Sequence, residues 1–345
     1  MNDHVRAFLQ SLGPRRPMNF GGRRADAPSA LLSRAARRNK LRVTKARNNH
    51  YVVTGGRRVV GGFAVHVTSL PSSESVRASL SMPLAKRYLE LDGLPVPMGA
   101  QFLPEDIDEA LSFFDGLSAA AVVKPASPSR GAGVHTGITT REEFLDAWQS
   151  ASGRRPTEVG ADTRLMVEEE VRGLDVRAFV VGEKVVAAVA RVPLFCIADG
   201  VRTLGDQIEE LNALRAAHPL LGKFDHDAES YARAAGHPLG RIPSSGDLFQ
   251  LAPGINMRTG GVTVDVTDLL GTSVIDLAVA AAWSVPGSKA AGVDLIVPET
   301  STSAGAKVLH VDVQTGFTTH HYPWIGERRP VANALIEKMR EVRGG

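Results

Sequence analysis

Cysteine is nearly absent from the 345 residues: Cys196 is the single one. One thiol excludes a disulfide framework and a cysteine-based zinc site. Aromatic residues are scarce, at 6%, which leaves few platforms on which bases could stack. Long apolar runs are missing too. The longest stretch, Leu277 to Val285, is far shorter than the roughly 18 residues that span a bilayer. Met1 to Pro17 has no apolar segment of the kind a secretory signal carries. A lone thiol with apolar neighbours suits a reducing compartment, so a soluble cytoplasmic protein is the expectation. Hydrophobic residues make up 43% and charged residues 22%. That balance is compatible with a packed core and excludes wholesale disorder.

Charge is unevenly spread. Residues 1–60 carry 14 Lys and Arg against 2 Asp, a balance of +12, while the whole chain is only +3. The remainder is therefore acidic. A basic N-terminal segment suggests either a solvated face or a contact with a polyanion. With so few aromatic residues interleaved, nucleic acid is not the expected partner.

Residues 1–30, rich in Arg, Gly and Pro, read as partly irregular. A short helix over Ala30–Arg38 and strands over 42–44, 51–54 and 58–67 follow, with a Gly55-Gly56 turn between two of them. The Pro/Ser-rich stretch Leu70–Ser75 reads as a boundary, giving a basic N-terminal region over 1–77 and a main region over 78–345. In the main region a helix over 83–91 stops at Gly93, and strands are expected over 119–124 and 165–168. Thr140 with Glu143 forms a capping box before a helix at 141–150. Strands 176–181 and 185–191 form a hairpin about Gly182-Glu183. Helices over 203–214, 273–285 and 331–342 and an antiparallel pair, 292–297 with 308–313, complete an α+β (α/β) pattern.

Four segments can carry chemistry. In Val122-Val123-Lys124-Pro125 a buried strand ends on a lysine, and the loop after it contains Ser129, Gly131 and Gly133. Such a loop is either an anion nest or a plain hairpin turn. In Glu168-Glu169-Glu170-Val171-Arg172-Gly173-Leu174-Asp175-Val176-Arg177, Asp175 and Arg177 are two apart on a strand and face one way. A sugar-hydroxyl acceptor beside a phosphate contact and a cross-strand charged face are both open. Asn256-Met257-Arg258-Thr259-Gly260-Gly261 is a polar, glycine-flanked loop that closes on an anion or simply turns. Asp294 lies inside an apolar strand, where a lone carboxylate is costly. His310, Asp312 and Gln314 share a face of the next strand. Oxygen donors on adjacent strands suit Mg²⁺, whereas His310 reads as a hydrogen-bonded sheet histidine. His320 and His321 read as loop residues.

Taken in order, these segments resemble the ATP-grasp superfamily, in particular the ATP-grasp domains of cyanophycin synthetase and the bifunctional glutathione synthetases, over about residues 78–325. The similarity extends through Arg191-Val192-Pro193 and the run Thr259 to Asp268. It implies two α+β subdomains clasping ATP, a small N-terminal domain, and a lid over about 117–170. By that resemblance, Lys124 contacts adenine and phosphate, and the Ser129, Gly131 and Gly133 loop covers the phosphates. Glu168, Glu169 and Val171 form the adenine hinge, and Asp175 holds ribose. Arg177, Arg191 and Arg258 meet phosphate or acyl-phosphate oxygens, and Asn256 lines the reacting end. Asp294 and Asp312 with Gln314 hold Mg²⁺. The implied activity is ATP-dependent ligation of a carboxylate to an amine, on an amino acid or peptide, with a homo-oligomer compatible.

This sequence departs from the family pattern at two places. Met82 stands where the family's Asp-Lys-x-x-Thr-Lys pattern has its first lysine. Thr315 replaces a proline, and the acidic and amide metal positions fall either on His310 and Asp312 or on Asp312 and Gln314. The second pair offers the better oxygen chemistry. These departures motivate an alternative, a degenerate ATP-grasp protein that binds nucleotide without turnover.

Overall fold

The structure is a computed structural model that describes residues 1–13, 15–127, 133–153 and 163–344. At its centre is a five-stranded antiparallel sheet with the spatial order 261–265, 184–193, 174–181, 290–297, 307–312. The hairpin between Leu174–Val181 and Lys184–Pro193 turns at Gly182, whose φ of 61° is left-handed and so suits glycine.

Strand alternation divides the chemistry of this sheet. Leu174, Val176, Ala178 and Val180 point to one face, into a core shared with the helix Thr272–Ser284. The opposite face is split. At one end Phe179, Val181, Ala187 and Ala290 pack in a second core with the final helix, Val331–Gly344. At the other end the same face carries Asp175, Arg177, Arg191 and Asp294.

A second, four-stranded sheet has the order 99–102, 165–169, 121–125, 135–138. Ala121, Val123, Leu165 and Val167 turn one face toward helices Ile107–Asp115 and Arg141–Ser152. The latter helix begins with the expected capping box, both of whose hydrogen bonds form. Lys124 and Glu168, with the opposite parity, occupy the other face.

The first 77 residues do not form a separate core. Asn2 caps the helix Asp3–Leu12, and Val5, Leu9 and Leu12 join the central core. The expectation of partly irregular chain over 1–30 holds for 15–27, between the two helices, while Asp3–Leu12 is regular. The apolar spacing was present, but it sits within an Arg/Gly/Pro-rich composition. Helix Pro28–Arg38 and a four-stranded sheet over 42–68 share the second core with the final helix. His320 and His321, read as loop residues, instead form a buried four-residue helix, Thr318–His321.

Candidate active site

Glu168 is 4% exposed and lies between two buried lysines. Lys124 Nζ donates to Oε2 at 2.5 Å and Lys86 Nζ donates to Oε1 at 2.9 Å. The lysines come from different elements. Lys124 ends a strand of the four-stranded sheet, and Lys86 projects from the helix Met82–Leu91. Burial pushes the Glu168 carboxyl up, but the two ammonium groups outweigh it and hold it below the usual range. Lys86 joins the expected site residues here. Its signal was its position, one helical turn beyond Met82, where i and i+4 share a face.

On the central sheet, Arg177 spans to the next strand and donates Nε and Nη2 to the two carboxylate oxygens of Asp294, at 2.7 and 2.6 Å. Its remaining nitrogen, Nη1, reaches Thr315 Oγ1 at 2.8 Å. Arg191 Nε donates to Asp175 at 2.5 Å, and its Nη2 lies 3.2 Å from Asp294. Burial raises the Asp294 carboxyl, and the charges of Arg177 and Arg191 more than reverse that. For Asp175 burial prevails over Arg191, and its carboxyl is raised. Both acids are directly in register with a partner: Arg191 lies opposite Asp175, and Arg177 opposite Asp294.

The register across the next strand places His310 opposite Asp294 and Asp312 opposite Gly292. His310 Nε2 lies 3.1 Å from the Ser79 carbonyl, as expected of a hydrogen-bonded sheet histidine, while its Nδ1 is buried with no partner. Burial lowers the His310 pKa, Asp312 and Asp294 oppose that, and Arg177 and Lys124 reinforce it. Charges from both sheets thus act on one imidazole. The segment between them is tied to both: Met82 N donates to Ala126 O at 2.9 Å and Val308 N to Pro95 O at 2.8 Å.

The remaining expected residues are placed as follows. Glu169 Oε1 accepts from Met98 N at 3.0 Å, and Glu170 N donates to Ala120 O, which fixes the segment leading to half-buried Val171. Asn256 uses its side-chain oxygen to cap the turn Met257–Thr259. Arg258 is exposed and lies over the Phe224 ring, 5.4 Å from its centroid. Asp312 Oδ1 accepts from Gln314 N, and the Gln314 carbonyl meets His66 Nε2. Gly133 has a φ of 77°, while Ser129 and Gly131 lie outside the described residues.

Comparison with known proteins places this geometry. The chain is 31% identical over 265 residues to a cyanophycin synthetase of Trichormus variabilis, covering 74% of this chain and 28% of that protein. It is 27% identical over 275 residues to a bifunctional glutathione biosynthesis protein of Pasteurella multocida, covering 74% and 34%. The crystal structure of a bifunctional glutathione synthetase from Pasteurella multocida superposes with a TM-score of 0.66 at 22% identity, over 91% of this chain and 44% of that one. The chain belongs to the ATP-grasp superfamily. Its fold is an α+β ATP-grasp fold. No family model matches it, and it spans about a third of the length of these curated relatives.

An ATP-grasp chain implies ATP and Mg²⁺, and the donor set can be tested for both. Lys86 and Lys124 around Glu168, and Arg177 and Arg191 around Asp294 and Asp175, supply four buried or half-buried cations, a residue type that suits a polyphosphate. Asp294 and Asp312 share a sheet face and offer hard oxygen donors that suit Mg²⁺. Among the described residues, no group of three His, Cys, Asp or Glu side chains is gathered into a metal site by itself. The fit is thus of a kind in which two protein carboxylates are completed by phosphate oxygens and water. Among the described residues no helix is long and apolar enough to cross a membrane.

Proposed function

We propose that this chain is an ATP-dependent carboxylate–amine ligase that forms an amide or peptide bond through an acyl phosphate and releases ADP and phosphate. Its substrates are a small carboxylate and an amine, at least one of them an amino acid or peptide. The observation that carries the reading is that the short segment Ser79–Met82 is bonded to both sheets: Ser79 O meets His310 Nε2, which lies opposite Asp294, and Met82 N donates to Ala126 O, two residues beyond Lys124. It brings together the phosphate-binding and metal-binding residue types that phosphoryl transfer to a carboxylate requires.

The work of the residues is positioning and charge neutralisation. Lys86 and Lys124, held by Glu168, present ammonium groups to phosphate oxygens. The segment Glu168–Val171 offers backbone groups to the adenine edge, Asp175 accepts from ribose hydroxyls, and Gly133 with Ser129 and Gly131 forms the phosphate loop. Arg177 and Arg191 are already aimed and partly desolvated, so they neutralise developing negative charge with little reorganisation. Thr315 holds the third nitrogen of Arg177 and keeps its plane fixed. Asp294 and Asp312, with Gln314, would hold Mg²⁺, which when bound withdraws charge from the transferring phosphate. Arg258 and Asn256 are proposed for the acceptor side. The lid spans about 117–170.

A nucleotide-binding protein without turnover is the second reading. It is favoured by Met82 and by the engagement of both Asp294 oxygens with guanidinium groups. The two are separated by incubating the protein with MgATP and a panel of amino acids and short peptides, and measuring ADP and phosphate. Release that depends on both an acid and an amine, and is lost in Lys124→Ala, supports the ligase. Nucleotide binding with no release for any pair supports the second reading.

A further inference from the structure

Between helix Pro28–Arg38 and the segment leading into the final helix lies a cleft of about 380 Å³, lined by none of the residues of the ionic network. A smaller cleft of about 260 Å³ adjoins it, and Arg34 lines both. Together the linings contain five arginines, Arg34, Arg37, Arg38, Arg328 and Arg329, and no acidic residue.

Two of these guanidinium groups are already compensated. Arg34 forms a two-bond pair with Asp26, at 3.0 and 3.1 Å, and Arg329 grips Asp265 and Asp268. The other three are not. Among the described residues, Arg37 and Arg38 have no acidic group within 4 Å, and Arg328 has only the His321 carbonyl at 2.9 Å and the faces of Tyr322 and Phe20. The stacking pre-orients Arg328, so less side-chain freedom is lost when it meets an anion. This cleft is also where the +12 imbalance of residues 1–60 meets the rest of the chain.

We infer that the joined clefts form a docking site for an acidic peptide segment, whose side-chain carboxylates pair with Arg37, Arg38 and Arg328. An elongated ligand is indicated because the arginines are spread along two neighbouring clefts that share Arg34, rather than gathered on one point. Carboxylates are favoured over nucleic acid because the rings at the site are already occupied. Tyr322 and Phe20 meet edge to face at 5.6 Å and Arg328 lies over both rings, while Tyr51 stacks on Phe63 at 4.9 Å. Each of these rings therefore already has a neighbour on a face, which disfavours stacking of a base. This inference does not depend on the ligase reading, since none of the three arginines belongs to the nucleotide region.

The test is fluorescence anisotropy of the full chain with a labelled octa-glutamate peptide at low salt. Binding is expected in the micromolar range, with loss at 0.5 M NaCl through screening. The double variant Arg38→Glu/Arg328→Glu should weaken it at least ten-fold, and the exposed single variant Arg37→Glu at least three-fold. A control of equal charge change away from the cleft, Arg57→Glu/Arg58→Glu, should alter it less than two-fold. The MgATP-induced thermal shift should be the same in all four proteins, which keeps folding and the nucleotide site out of the comparison. No binding of octa-glutamate, or equal weakening in the control, overturns the inference. Tighter binding of an eight-nucleotide single strand than of the peptide overturns it as well.

Discussion

Arg177 and Asp294 face each other in register on neighbouring strands and join through two hydrogen bonds, 2.7 and 2.6 Å long. Neither side chain is well exposed, at 23% and 13%. Removing one partner therefore leaves charge in a poorly solvated place, and such loss typically costs about 3–5 kcal/mol. Asp294→Ala should destabilise the protein on this scale in urea unfolding, because it leaves both Arg177 and Arg191 short of a partner. Asp294→Asn, which keeps an acceptor oxygen, should cost less. Equal stability of Asp294→Ala and the native chain would show that the pair is not structural.

The buried triad gives a second expectation. Lys86→Met removes one of two cations from Glu168 while retaining a long side chain on the same helix face. Glu168 keeps Lys124, so the protein should fold, with stability reduced by about 1–3 kcal/mol, the scale of a lost charged hydrogen bond. MgATP affinity should fall at least ten-fold by calorimetry if Lys86 meets phosphate. Unchanged affinity would assign Lys86 to structure alone.

Four buried histidines, His218, His310, His320 and His321, weigh on the acid side of stability, each with its pKa lowered by burial. Burial lowers His218 to about 4, His320 to about 3 and His321 to about 4. In the unfolded chain a histidine titrates near 6.5. The unfolded state thus binds protons first as pH falls. The stability of the neutral folded state is fully present above about pH 6.5 and is lost progressively below it, toward pH 4. Each histidine contributes up to about 1.4 kcal/mol per pH unit. Unfolding free energy measured from pH 7.5 to 5 should fall over that window, and His218→Phe should flatten the slope. A pH-independent free energy over that range would contradict the assignment.

A fourth expectation concerns Gly292. A Cβ at this position would lie 2.5 Å from Thr315 Cγ2, and Thr315 is what holds Arg177 Nη1. Gly292→Ala should therefore displace Thr315 and loosen Arg177. Nucleotide affinity should fall at least three-fold by calorimetry, with a smaller fall for Thr315→Ser, which retains the hydroxyl. Unaltered affinity in both variants would separate Thr315 from the site.

Much of this arrangement is legible in the chain, for identifiable reasons. The hairpin at Gly182 and the capping box at Thr140 and Glu143 are local signals, and both are present as read. Asp175 and Arg177 share a face because strand parity is fixed by sequence alone. What parity does not reveal is the partner across the sheet. That His310 lies opposite Asp294, where an unbroken register from Leu295 and Val308 would put Leu309, depends on a register shift between Asp294 and Leu295, which no spacing announces. Lys86 stands at the last lysine of the Asp-Lys-x-x-Thr-Lys pattern, but its pairing is not legible because its partner, Glu168, is 82 residues away. Helices Ile107–Asp115 and Ala228–Ala234 were not read. His320 and His321 sit in a helix of one turn, too short to show a period.

One nucleotide held between the two sheets should stabilise the fold, and MgATP binding tests this most directly. Thermal unfolding with and without MgATP should show stabilisation of about 2.7 kcal/mol at a hundred-fold excess over the dissociation constant. That stabilisation should disappear in Lys124→Ala on one sheet and in Arg177→Ala on the other. A nucleotide that does not stabilise the native chain, or that stabilises both variants as much as the native chain, would contradict it.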